Sequence, residues 1–191
     1  MPITLSTSHQ RFYEIKQSRF YSVIAPTADK ACALEQIHHL SAEHPHAQHL
    51  AFAWRIRRTD GQIDMRCHDA GEPKGTAGQP ILAPLVGQNI INVIVMVVRY
   101  YGGIKLGTGG LSRAYGHAAQ LAINAADYHP WVEMSTLSLS IAYGQQQALQ
   151  YFLQQHQGQV LAQSFTDIVT LEICIPKKHM ALLQQRFEHS R

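Results

Sequence analysis

The fold of this chain is decided by one stretch, Ile90–Gly116, with the sequence IINVIVMVVRYYGGIKLGTGGLSRAYG. It begins with an almost unbroken apolar run, Ile90–Val98, that is rich in β-branched side chains. Such a run predicts a strand that is buried on both faces. A tyrosine- and glycine-containing turn follows, and from Leu111 onward apolar residues recur with helical spacing. The stretch therefore predicts a strand, a glycine-rich loop and a helix, in that order.

A second glycine-rich segment, HDAGEPKGTAGQP (His68–Pro80), also leads into a predicted helix. The start of a helix offers free backbone N–H groups to an anion, and nearby hydroxyls and cations suit a phosphate. Neither loop matches the nucleotide-binding glycine motifs of P-loop or dinucleotide-binding proteins. The alternative is that the glycines only permit tight turns and close packing. The predicted anion- or nucleic-acid-binding residues are Lys74, Gly75, Thr76, Arg99, Tyr100, Tyr101, Lys105, Gly107, Thr108, Gly109, Gly110 and Arg113.

A polar cluster is predicted to support these loops. His49, Asp69 and Glu72 lie in the same segments as Arg99, and an acid, a histidine and an arginine could carry out acid–base chemistry. The commoner arrangement is an ion pair between the carboxylates and Arg99 that fixes the loops. On this basis we predict no catalytic residue.

The two glycine-rich segments closely resemble the signature of the YigZ/IMPACT family. VVRYYGGIKLGTGG (97–110) and GEPKGTAGQP (71–80) carry most of the resemblance, with support from KQSRF (16–20) and the strand at 49–54. The resemblance implies an N-terminal β-α-β domain with a left-handed crossover, similar to the ribosomal-protein and small-molecule-kinase superfamily folds. It also implies a ferredoxin-like C-terminal domain similar to one in elongation factor G.

We therefore predict an α+β protein with two domains, an IMPACT-like domain at 1–129 and a ferredoxin-like domain at 130–191. Tyr128–Trp131 is interpreted as the linker between them. The pattern after the linker is β-α-β-β-α, which is most of a ferredoxin-like unit. The closing strand of that unit has no counterpart in the pattern, so we expect a domain that lacks its last strand.

Composition limits the function without defining it. All of the net charge of +3 lies before Pro130, which permits an anionic partner, although dedicated nucleic-acid domains are usually more basic. The cysteines are few and unpaired in sequence, which is typical of a reducing compartment. The histidines match no metal-ligand pattern. We predict a cytoplasmic protein with no membrane association, no metal and no cofactor, and the oligomeric state stays open.

Three functional hypotheses follow. The eukaryotic relatives that the chain resembles act in translational control, which favours a non-catalytic regulatory protein that binds RNA, the ribosome or a translation-related protein. The second hypothesis is an enzyme that acts on a phosphorylated small molecule through the two glycine-rich loops. The third is a regulator that binds another protein and makes no contact with nucleic acid.

Overall fold

The structure is a computed structural model that describes residues 1–187. It forms two compact units, an N-terminal unit, Met1–Trp131, and a C-terminal unit that begins at Val132. The prediction of an α+β fold with two domains is therefore confirmed. Within the described residues, no helix is both long and apolar enough to cross a membrane.

The N-terminal unit contains seven strands and three helices. The strands are β1 (Ile3–Leu5), β2 (His9–Ile15), β3 (Ser18–Pro26), β4 (His49–Arg57), β5 (Ile63–His68), β6 (Val93–Tyr100) and β7 (Tyr128–Pro130), and the helices are α1 (Lys30–Glu43), α2 (Gly78–Gly87) and α3 (Gly107–Asn124).

Five of these strands form one antiparallel sheet in the order β2-β3-β6-β4-β5. Strands β3 and β4 both pair with β6, on its two sides, and therefore run in the same direction. Helix α1 connects them, which gives the predicted β-α-β arrangement with β6 between the two strands. The left-handedness of this crossover stays a prediction.

Strand β6 is the centre of the sheet and is buried on both faces, as its apolar sequence predicts. Val93, Val95 and Val97 face the core shared with α2 and α3. The alternate residues Ile94, Met96 and Val98 belong to a second core, beneath α1. Because successive side chains of a strand point to opposite faces, a strand covered on both sides needs apolar residues at every position.

Most of the segment that the sequence pattern assigns to a linker is structured, because Tyr128–Pro130 forms strand β7. This strand pairs antiparallel with β1, and the Trp131 backbone N–H donates to the carbonyl of Pro2 at 3.0 Å. The predicted domain boundary after residue 129 thus falls inside a strand of the N-terminal unit. The local sequence indicates a turn and gives no sign of β7, because the strand forms only by pairing with β1, more than a hundred residues away in sequence.

A tight hairpin between β2 and β3 packs against the loop that follows β6. Its turn residues Lys16 and Gln17 both have positive φ, of 45° and 61°, as the two-residue turn of a twisted hairpin requires. The backbone of Gln17 approaches Gly102 so closely that a Cβ atom there would overlap it. Gly102 is therefore needed for close approach, and it holds the hairpin against the glycine-rich loop.

The C-terminal unit has the ferredoxin-like arrangement. Its sheet has the order β8-β10-β9 with antiparallel neighbours, and α4 and α5 cover one face of that sheet. No strand follows the second helix within residues 132–187, and residues 188–191 lie outside the described part. The elements are β8 (Met134–Ile141), α4 (Gln146–Gln155), β9 (Gln159–Phe165), β10 (Val169–Pro176) and α5 (Met180–Phe187).

The packing at Gly102 gives a prediction about stability. We expect Gly102→Ala to lower the free energy of unfolding by about 1–3 kcal/mol, the usual cost of forcing extra atoms into a packed site. Urea unfolding followed by tryptophan fluorescence measures this loss, because Trp54 and Trp131, the chain's two tryptophans, both lie in the N-terminal unit.

Gly87→Ala provides the control, since a Cβ at that helical position meets nothing within 4 Å. We expect it to leave the stability unchanged or to raise it, because alanine favours the helix over glycine. Equal effects of the two substitutions would contradict the close approach at Gly102.

Candidate functional site

An open cavity of about 460 Å³ lies where β6 ends and the chain turns toward α3. It is formed by four segments that are far apart in sequence: the start of β4, the loop before α2, the end of β6 and the start of α3. Its lining residues are Gln48, His49, Glu72, Pro73, Arg99, Tyr101, Lys105, Leu106, Gly107, Thr108 and Leu111.

A buried ion pair lies at one wall of this cavity. The guanidinium of Arg99 donates from Nη1 to Glu72 Oε1 at 2.6 Å, and the two side chains are only 6% and 4% exposed. The hydroxyl of Tyr115 donates to the same carboxylate oxygen at 2.8 Å. Burial and the charge of Glu72 raise the pKa of Tyr115 far above its ordinary value, so this hydroxyl keeps its proton. The three side chains connect the loop before α2, the central strand and α3.

His49 stands next to this pair and has a fixed orientation. Its Nδ1 lies 2.8 Å from the carbonyl oxygen of Ala70, so Nδ1 carries the proton and donates. Nε2 is directed toward Glu72 Oε1, at 3.8 Å, and the side chain is 24% exposed. Because His49 pairs in register with Arg99 across β4 and β6, the sheet itself places the histidine over the carboxylate.

Asp69 has a different role from the one that its place in the polar cluster indicates. Its carboxylate accepts three backbone hydrogen bonds, from Gly75, Ala77 and Gly78, at 2.8, 3.0 and 2.8 Å. Burial alone opposes ionisation of Asp69, but these N–H donors outweigh it and lower the pKa of the carboxyl group. Asp69 therefore caps the start of α2 instead of pairing with Arg99.

This cap corrects the expected anion site at the first glycine-rich loop. The remaining backbone N–H of that turn, from Thr76, donates to the carbonyl of Pro73, as does the Thr76 hydroxyl. The donors around Gly75 and Thr76 are thus already used, and Lys74 is an exposed side chain beside them. The sequence shows the glycines and the threonine but gives no sign that a carboxylate from six residues upstream fills the turn.

The start of α3 differs in this respect. No side chain of residues 1–187 caps it, Gly107 takes a positive φ of 72°, and Gly107, Thr108 and Gly109 are exposed. An uncapped helix start carries a partial positive charge and attracts anions. Lys105 lines the cavity at this point and makes no ion pair within residues 1–187. Of the two glycine-rich helix starts, this one keeps its N–H groups free of side-chain partners.

The remaining predicted residues lie in three different places. Tyr101 lines the cavity and is 44% exposed, and its backbone N–H donates to the Gln48 side-chain oxygen Oε1 at 2.9 Å. Tyr100 lies on the opposite face of the sheet, where its hydroxyl is 2.9 Å from His44 Nδ1. Arg113 and Gly110 line a separate cavity on the other side of α3.

Sequence reasoning missed two residues that hold the site together. Gln48 lies just before β4 and accepts the backbone N–H of Tyr101, and nothing in its local sequence indicates this contact. Tyr115 falls on the apolar stripe of α3, which predicts a core position but not a hydrogen bond to Glu72.

Within residues 1–187, no three His, Cys, Asp or Glu side chains are grouped as metal ligands.

The fold and the site together define a two-domain α+β protein that presents an uncapped, glycine-rich helix start beside a buried ion pair. Comparison with protein families gives the same organisation, because the Impact N-terminal domain matches residues 16–123 and a domain of unknown function (DUF1949) matches residues 139–187. The chain belongs to the IMPACT family.

Individual relatives agree with this assignment over most of their length. IMPACT family member YigZ of Escherichia coli (strain K12) is 35% identical over 168 residues, which cover 88% of this chain and 82% of the relative. An IMPACT family member of Haemophilus influenzae (strain ATCC 51907 / DSM 11121 / KW20 / Rd) is 36% identical over 165 residues, with 86% and 80% covered. A crystal structure described as that of a hypothetical protein is 32% identical, with a TM-score of 0.72, and the match covers 96% of this chain and 89% of that one.

The cap at α2 predicts how stability depends on pH. The folded-state pKa of Asp69 is lowered, so its stabilising effect is complete above the ordinary pKa of about 3.9 and is lost as the pH falls through the lower folded value. At pH 7 we expect Asp69→Asn to lower the free energy of unfolding by about 1–2 kcal/mol, as other losses of helix caps do. We expect this difference to shrink below about pH 4.

Urea unfolding of the wild type and the variant between pH 3 and pH 7 measures this difference. Asp127→Asn is the control, because that exposed carboxylate makes no hydrogen bond or ion pair within the described residues. A difference between Asp69→Asn and the wild type that stayed constant down to pH 3 would show that the carboxylate charge does not contribute to the cap.

Proposed function

We propose that this protein is a non-catalytic, translation-associated binding protein that holds the phosphate backbone of RNA at the start of α3. One observation carries the proposal: two similar glycine-rich helix starts have opposite environments. The start of α2 already holds the Asp69 carboxylate, whereas the start of α3 has no side-chain cap from the described part of the chain and opens into a cavity. The start of α2 is thus an example, within the same chain, of such a turn binding a negatively charged carboxylate.

The charges around the cavity favour an external anion. Glu72 is neutralised by Arg99, and Asp69 is balanced by the three N–H donors of α2. Lys105 lines the cavity, is exposed and makes no ion pair within residues 1–187. A phosphate that enters the cavity therefore meets an uncompensated cation and a helix dipole, a combination that favours binding.

Exposed side chains at the rim support a nucleic acid over a small ion. Tyr101 is 44% exposed and Ile104 is 43% exposed on the loop between β6 and α3. An exposed tyrosine beside a cationic site can stack on an unpaired base, for about 1–3 kcal/mol. The translation setting of the proposal comes from the resemblance to the IMPACT family.

The arrangement supports binding more than catalysis. Glu72 already accepts hydrogen bonds from Arg99 and Tyr115, so it is engaged in holding three segments together. The partly exposed His49 lies 3.8 Å from Glu72, and no cysteine or serine accompanies it among the residues that line the cavity.

A direct test titrates a short labelled single-stranded RNA at several salt concentrations. We expect binding of micromolar order that weakens steeply with salt. Lys105→Ala should remove about one phosphate contact, which lowers the slope of log K against log salt by about 0.7, and Tyr101→Ala should reduce the preference for single strands over duplex. Lys178→Ala and Tyr151→Ala are matched controls, because both exposed side chains lie in the C-terminal unit, and we expect them to bind as the wild type does.

Equal binding by the wild type, Lys105→Ala and Tyr101→Ala would place any RNA surface elsewhere. Sedimentation of cell lysate on a ribosome gradient then tests the translation setting. We expect the wild type to sediment with ribosomal material, less so after nuclease treatment or with Lys105→Ala. Absence from those fractions at low salt would contradict the association with translation.

A further inference from the structure

We propose that a second cavity, on the other side of the first turn of α3, binds a nucleotide. Lys16 and Arg113 would hold its phosphate, and Tyr13 and His117 would contact its base. The inference deepens the proposed function and rests on it for the case in which the nucleotide belongs to an RNA strand.

The cavity lies between α3 and the end of β2. It has a volume of about 380 Å³, which is within the range of roughly 300–1,000 Å³ that is usual for small-molecule sites. Ile15, Leu106 and Ala114 contribute its apolar part. Its polar and aromatic lining consists of Tyr13, Lys16, Arg113 and His117.

Charge at this cavity has one sign. Lys16 and Arg113 are both exposed, neither makes an ion pair within residues 1–187, and no carboxylate is among the lining residues. The backbone of Lys16 is held in place, because the hairpin turn has fixed positive φ angles and packs on Gly102. Two cations that converge on one cavity without an acidic partner favour a ligand that brings its own negative charge.

The aromatic groups indicate what else the ligand contains. The rings of Tyr13 and His117 are 4.6 Å apart at an interplanar angle of 63°, and the Tyr13 ring also packs 6.0 Å from that of Phe20. His117 is exposed and Tyr13 is half-buried, so this pair presents aromatic surface to the cavity. A flat heterocycle can stack on such a surface whatever its sequence identity. A nucleotide carries both of these groups, a flat base and a phosphate, joined by a sugar.

The position of the cavity connects it to the site described above. Leu106 lines both cavities, and Gly107–Gly110 separates them. A single strand that places one phosphate at the start of α3 can cross this glycine turn, which has no large side chains to block it, and reach Lys16 and Arg113. The same chemistry could instead be supplied by a free nucleotide, and the two sources can be separated experimentally.

The experiment follows the intact protein by NMR, through the Gly110 amide and the His117 ring protons, during titration with AMP and, separately, with a single-stranded hexaribonucleotide. We expect both signals to shift to saturation with at least one of these ligands. The test variant combines Lys16→Asn, which suits the positive φ of that position, with Arg113→Gln, which keeps helix propensity. We expect it to weaken binding about tenfold or more, with unchanged thermal unfolding as the check on folding.

The two ligands and a further variant separate the possible outcomes. Tight binding of the hexamer with weak binding of AMP assigns the cavity to RNA, and saturation by AMP alone assigns it to a free nucleotide. The hexamer could bind, with an affinity that Lys105→Ala weakens, while the His117 ring-proton signals do not shift and the double variant binds as tightly as the wild type. That result overturns the inference while the proposed function stands. If AMP shifts His117 and the hexamer does not bind, the proposed function fails and this site remains. If neither ligand binds, both are overturned.

Discussion

The arrangement of the N-terminal unit depends on one buried ion pair, between Glu72 and Arg99. Glu72 comes from the loop before α2, Arg99 from the end of the central strand, and the hydroxyl of Tyr115 adds α3 to the same carboxylate oxygen. A buried pair of this kind contributes little net stability, because desolvation offsets the attraction, but loss of one partner costs about 3–5 kcal/mol. Its effect is therefore geometric: the pair fixes where three segments meet, and the candidate cavity forms at that junction.

The two glycine-rich helix starts show why a local pattern does not define a binding site. Both have small residues, a threonine and a nearby lysine, and both were predicted to hold an anion. In α2 the position is filled by Asp69, which accepts three hydrogen bonds from the turn itself, whereas in α3 no side chain among residues 1–187 does the same. The backbone donors are chemically equivalent, so the difference lies only in whether a neighbouring segment supplies a carboxylate.

This contrast also separates what could be predicted from what could not. The central strand was predictable because burial on both faces requires apolar residues at every position, and Val93–Val98 satisfies that rule. The strand β7 was missed because its partner β1 is remote in sequence, and local turn-forming residues dominated the interpretation. Tyr100 and Tyr101 were both predicted to belong to one binding site, but neighbouring residues at the end of a strand point to opposite faces, and of the two only Tyr101 lines the cavity.

One helix start can border two cavities because two different segments approach it from two sides. The first turn of α3 projects between the end of β6 and the hairpin of β2 and β3, and Gly102 lets the hairpin pack directly on the loop. The hairpin brings Lys16 to one side of the turn, while the loop brings Lys105 to the other. Cations thus flank uncapped N–H groups on both sides, and the nearest buried acid, Glu72, is neutralised by Arg99. An elongated anion fits this distribution of charge better than a compact one, since a single small ion could satisfy only one side of the helix start.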